Sequence, residues 1–135
     1  MARLTALTPG GRVDVRRFAL RRRRGRFRSL PAYAAPERCE LLRAFSLSGP
    51  AFGGARRPHA LRVAVRTVEP ARAVLRLRRG RRTVRRLRLG SVRPEQVRRL
   101  RLRAGRLRRG RYALELTVTA ADGRVERARL FSSRL

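Results

Sequence analysis

Residues 71–119 read ARAVLRLRRGRRTVRRLRLG and then SVRPEQVRRLRLRAGRLRRGRYALELTVT. Leucine or valine alternates with arginine in short runs, each closed by a glycine or an arginine–glycine pair. Successive side chains of a strand point to opposite faces, so this period of two marks half-buried strands. The stretch predicts an antiparallel sheet with one apolar face and one face coated in arginine.

Within it, Ala73, Leu75 and Leu77 share a phase, with Val74, Arg76 and Arg78 on the other. Arg79-Gly80 offers a tight turn, glycine supplying the positive φ. The returning Val84, Leu87 and Leu89 do not share one phase, which predicts a bulge at Arg85-Arg86. Gly90 to Gln96 reads as a turn region in which Pro94-Glu95-Gln96 makes a short helical turn. Leu100 and Leu102 alternate with Arg99, Arg101 and Arg103, and Gly105 to Gly110 is a loop with Leu107 turned inward. Tyr112, Leu114, Leu116 and Val118 then face in, opposite Ala113, Glu115, Thr117 and Thr119.

Working outward, Leu61, Val63 and Val65 form a strand ending before Glu69-Pro70, where proline cannot continue a central ladder. Asp122-Gly123 is a hairpin signal, followed by a last strand with Val125, Leu130 and Phe131 as expected core residues. Strands at spacings of roughly 8–12 residues without intervening helices predict an all-β sandwich or barrel over residues 60–135. Residues 31–59 are a proline- and glycine-punctuated connector containing Pro31, Pro36, Pro50 and Pro58. Glu40 to Ser48 reads equally as one strand or a helical turn, Gly49 to Gly54 as a loop. Residues 1–30 carry 10 arginines against the single acid Asp14 and are a basic arm or an edge strand. There, Gly10-Gly11 is a break, and Val13, Val15, Phe18 and Leu20 form a short strand with a slip.

The 135 residues carry a net charge of +30, and all 38 basic residues are arginine. Self-repulsion at that level opposes compaction. Lysine, asparagine and isoleucine, which have A/T-rich codons, are absent, so a G+C-rich genome explains arginine in place of lysine. It explains less well why there are only 8 acids. Lone Cys39 excludes an internal disulfide framework and a multi-cysteine zinc site. No run approaches the ~20 apolar residues that span a bilayer, and the first residues lack the apolar core of an export signal.

Catalytic chemistry finds little footing. His59 is the sole histidine, and Cys39 and His59 sit in loop-like segments rather than at a strand-to-helix nucleophile turn. Glu95, Glu115, Asp122 and Glu126 are scattered at turns or among arginines, where ion pairing is the default. A phosphate loop needs its lysine, and there is none. No cofactor is expected. Polyanion binding is the functional chemistry the residues offer, set against a codon-biased, solvated arginine surface with no ligand. Arg76, Arg78, Arg99, Arg101 and Arg103 are expected to form one guanidinium ladder on a sheet face, with Arg21, Arg22, Arg23 and Arg24 on the arm. Guanidinium forks fit phosphate, sulfate or carboxylate bidentately.

RAGRLRRGRYALELTVTAADGRVERARL, residues 103–130, resembles the closing hairpin of bacterial immunoglobulin-like and fibronectin-type-III-like domains. RVAVRTVEPARAVLRLRRGRRTVRRLRLG, residues 62–90, resembles the preceding part of the same module, in the form of flagellar-hook-cap-type domains. The immunoglobulin cysteine pair and core tryptophan are missing, so no antibody-type domain is implied. The resemblance implies an immunoglobulin-like β-sandwich at residues about 60–132. It also implies a non-enzymatic structural or adhesive role in a surface or secreted system, with anionic wall polymer or an acidic protein as partner. The alternative from charge alone is a basic protein binding nucleic acid without sequence preference.

Overall fold

A computed structural model describes residues 2–7, 13–18, 20–29, 40–54, 59–94 and 96–135. Cys39, Gly10-Gly11, Pro31, Pro36, Pro58 and Glu95 lie outside the described residues. Among the described residues every element is a strand: β1 (Ala2–Leu7), β2 (Val13–Phe18), β3 (Leu20–Arg23), β4 (Arg26–Ser29), β5 (Leu42–Leu47) and β6 (Ala51–Phe52). They continue with β7 (Leu61–Thr67), β8 (Ala71–Arg79), β9 (Arg82–Val92), β10 (Arg98–Leu102), β11 (Gly110–Ala120) and β12 (Val125–Arg134).

Two sheets build the body. One has the order β10-β7-β5, the other β6-β12-β11-β8-β9. Neighbours are antiparallel except β6, which runs parallel to β12. Phe45, Leu61, Val63, Val65 and Leu102 from the smaller sheet join Leu75, Leu77, Leu114, Leu116, Val118 and Leu130 from the larger in one aliphatic cluster. This is the layering of a β-sandwich. Each such side chain gains about 1.5–3 kcal/mol on burial, and the alternation read along β7, β8, β10 and β11 supplies most of them.

Departures from the sequence reading have local causes. β8–β9 pairing slips at two points, skipping Val84 and Leu89, rather than at Arg85-Arg86. Val84 is the extra residue of its bulge and is turned to solvent, so it never had to match the phase of Leu87 and Leu89. The hairpin turn is Gly80-Arg81, one residue on from the expected pair. Glycine alone has positive φ there (+57°), as a turn with glycine first requires. β9 runs past Gly90 to Val92, and Pro94 bridges to Thr67. The Gln96 N–H donates to the Arg93 carbonyl at 3.3 Å, a turn-type bond, while Glu95 of the expected helical turn lies outside the described residues.

In β12 the inward phase is Ala128, Leu130 and Ser132, which leaves Val125 exposed and Phe131 half-buried on the outer face. Apolar residues occupy both phases of that strand, so alternation alone did not choose. Glu40 to Ser48 resolves as strand β5, with a register shift between Leu42 and Ala44 that takes Arg43 out of the apolar phase. Gly49 to Gly54 is not merely a loop. It contains β6, whose Phe52 is fully buried.

Four contacts tie the layers and loops. The Glu126 carboxylate accepts a 2.7 Å hydrogen bond from the Leu42 backbone N–H, joining the start of β12 to the start of β5 across the sheets. At the other end, the buried Tyr112 donates its hydroxyl to the Arg108 carbonyl at 2.6 Å, pinning the chain that enters β11. Its ring meets Phe52 edge-on, centroids 6.1 Å apart. The β11–β12 turn closes through Arg124, whose side-chain hydrogen bond holds the Asp122 carboxyl below its ordinary value.

Upstream, β1 pairs with β2 and β3 with β4 in two separate hairpins. Leu20 therefore does not continue the strand of Val13 and Val15, but opens the second hairpin. That hairpin turns at Arg24-Gly25, both with positive φ (+51° and +76°), the backbone of a type I′ turn.

Candidate functional site

The outer face of the larger sheet is the first cationic surface. Cross-strand register aligns Arg86, Arg76, Glu115 and Arg129 in one row, and Arg88, Val74, Thr117 and Arg127 in the next. Arg76, Arg86, Arg88, Arg127 and Arg129 are exposed. Glu115 is the carboxylate at the centre of the rows and is engaged by Arg78 at 3.1 Å and Arg129 at 3.3 Å. Beside it, the Arg111 and Arg129 guanidiniums lie 4.4 Å and 5.3 Å from the Phe131 ring centroid. A cation over an aromatic face gains about 0.5–1 kcal/mol at exposed sites. Phe131 thus has an outer-face role that hydrophobicity did not reveal.

The second surface is concave. A groove of about 860 Å³ lies between the β8–β9 hairpin and the β10–β11 loop. Arg79, Arg82 and Arg85 line one wall and Arg106 and Arg108 the other, over Val84, Ala104, Leu107 and Tyr112. None of its lining residues is acidic. The walls are set by backbone chemistry. Gly80 permits the tight hairpin, and the Val84 bulge bends β9. Leu107 N–H donates to the Ala104 carbonyl at 2.9 Å, and Tyr112 holds the carbonyl of Arg108. A smaller groove of about 290 Å³, lined by His59, Arg101 and Arg103, shares Ala104 and Gly105 with the first.

The expected binding residues divide among these places. Arg76 stands exposed in the outer rows. Arg78 is committed internally, to Glu115 and, through a 2.6 Å hydrogen bond, to the Arg81 carbonyl. Arg99 and Arg101 belong to β10 in the other sheet, paired with Ala64 and Arg62, and Arg103 follows that strand. The expected single ladder of Arg76, Arg78, Arg99, Arg101 and Arg103 is therefore split between two sheets whose outer faces point away from each other. Strand alternation sets which residues face out, not which sheet they leave from. Arg22 and Arg24 are exposed on the second hairpin, where Arg21 pairs with Arg28 and Arg23 with Arg26 in the register.

The five groove arginines were not singled out from sequence. No sequence signal marked them, because only the pairing of Arg78 with Ala113 in the folded sheet brings the chain entering β11 beside the chain leaving β8. His59 is exposed and joined to Gly53 by two backbone hydrogen bonds of 2.8 and 3.1 Å. Among the described residues, no three His, Cys, Asp or Glu side chains gather as a metal site would need. Nor is any helix among the described residues long and apolar enough to cross a membrane. No family model, no curated protein and no solved structure matches the chain.

Proposed function

We propose that the chain is a non-enzymatic, immunoglobulin-like structural or adhesive module whose arginine surface docks anionic wall polymer or an acidic partner. Three features favour the immunoglobulin-like reading. The first is a three-stranded sheet facing a sheet that ends in a short parallel strand. The second is the order of strands within each sheet. The third is a tyrosine at the start of β11 bonded to the carbonyl four residues upstream, as in the tyrosine corner of such domains. Placement in a surface or secreted system belongs to the same proposal and rests on the resemblance.

The observation that carries the binding reading is the outer face of the larger sheet. Five exposed arginines, Arg76, Arg86, Arg88, Arg127 and Arg129, surround one carboxylate there. Like charges across a ladder cost on the order of 0.2–1 kcal/mol each, a cost that a bound polyanion relieves. The test is the dissociation constant for long poly(glycerol phosphate), measured from about 50 mM to about 200 mM salt. Affinity is expected to fall steeply and linearly on a log–log plot. Absence of binding at the lowest salt, or a flat response, defeats the proposal.

One observation favours nucleic acid instead. Phe27 is 68% exposed on the hairpin that carries Arg22, Arg24 and Arg26, and an aromatic among arginines is a base-stacking platform. A single-stranded oligonucleotide that binds more tightly than the wall polymer, and loses affinity in Phe27→Ala, replaces the first reading with this one.

A further inference from the structure

We propose that the groove between the β8–β9 hairpin and the β10–β11 loop is a site for one linear polyol-phosphate chain, which continues over Ala104-Gly105 into the groove of Arg101 and Arg103. The inference rests on the polyanion reading above and locates it in a built, concave site. Charge is the first argument. Both walls of the larger groove are arginine and no lining residue is acidic, so the cations face one another across the space an anion would fill. No ion pair among the described residues engages Arg82, Arg85, Arg106 or Arg108.

The floor argues for the class of ligand. Val84 and Leu107 give the groove an apolar base suited to the carbon skeleton between phosphates. Base-bearing single strands are held by stacking on exposed rings, and the aromatic here, Tyr112, is 1% exposed. A polymer of phosphates joined by short polyols uses both the guanidinium walls and the apolar base without needing a ring. A duplex presents its phosphates on a convex surface and matches the flat outer face of the sheet better than a groove.

Preorganisation is the third argument. The hairpin is fixed by its glycine-first turn and the opposite wall by the Tyr112 hydroxyl on the Arg108 carbonyl, so little ordering remains to oppose binding. The shared Ala104 and Gly105 make the two grooves one path. Small residues at that saddle leave room for a chain to pass.

The experiment is calorimetric titration with glycerol-phosphate oligomers of increasing length, alongside a single-stranded oligonucleotide of matched charge. Three double variants of the whole chain are compared: R82A/R85A in the first groove, R101A/R103A in the second and R76A/R86A on the outer face. All six side chains are exposed, and unchanged circular dichroism and melting confirm that the variants fold. Affinity should rise with length until both grooves are filled and then level off. R82A/R85A should weaken every length by about tenfold or more. R101A/R103A should remove only the gain shown by the longer oligomers.

Binding that is abolished by R76A/R86A and untouched by R82A/R85A overturns the groove site while leaving polyanion docking intact. Tighter binding of the oligonucleotide overturns the ligand class. Failure of every polyanion to bind overturns the functional reading itself.

Discussion

At the scale of single residues, Thr67 shows that phase can place a residue in the core without revealing its bonding there. It ends β7 fully buried, and its hydroxyl has no hydrogen-bond partner among the described residues. A buried polar group without a partner costs about 1–3 kcal/mol. Thr67→Val keeps the branched shape and removes the hydroxyl, and should stabilise the fold by about 1 kcal/mol. The check is a higher denaturant midpoint at unchanged slope, and a lower midpoint would show that the hydroxyl is satisfied in solution. The sequence places Thr67 in phase with Leu61, Val63 and Val65, so its burial was legible. Its unmet hydrogen bond was not, because that depends on what stands opposite in the other sheet. Arg78 teaches the converse. Its phase was read correctly as outward, yet Glu115 and the Arg81 carbonyl consume it, and only the three-dimensional neighbours reveal a commitment of that kind.

At the scale of elements, strands with one uninterrupted phase were readable and strands with a defect were not. β11 alternates Tyr112, Leu114, Leu116 and Val118 without a slip, and all four are buried. β9 has two bulges, and where a bulge sits is settled by the partner strand rather than by the bulged one. β6 is two residues long, too short to show any period, and so Phe52 passed as part of a loop. The β10–β11 connection matters most for the proposed groove site, because Arg106 and Arg108 ride on it. Tyr112→Phe deletes the hydrogen bond to the Arg108 carbonyl and keeps the ring against Phe52. We expect a loss of about 0.5–1.5 kcal/mol in stability, read by chemical denaturation. Weaker binding of short glycerol-phosphate oligomers should accompany it. A variant that loses stability but keeps full affinity would mean that the loop is held by other contacts.

At the scale of the whole molecule, charge and core were both legible in composition, but their arrangement in space was not. The +30 charge does not say which surface would meet an anionic partner. The groove stayed hidden because its walls come from two connections that only the finished sheet brings together. One feature of that finished body has a mechanical meaning. The Glu126–Leu42 bond places the start of β5 beside the start of β12, and β6 lies parallel to the end of β12, with Ser133 N–H donating to the Pro50 carbonyl and Leu135 N–H to the Phe52 carbonyl. The segment 42–52 therefore travels alongside β12 in the same direction, and residues 40 and 135 leave the body at opposite poles. Tension applied between those poles pulls along the strands, in shear. The hydrogen bonds of β6 with β12 then share the load instead of opening one after another. In single-molecule pulling, attachment at residues 40 and 135 should give a distinctly higher rupture force than attachment across the β8–β9 hairpin, where bonds unzip in turn. Equal forces in the two geometries would refute this. A module anchored to a polymer and pulled on by its neighbours would bear strain along the axis in which it yields least.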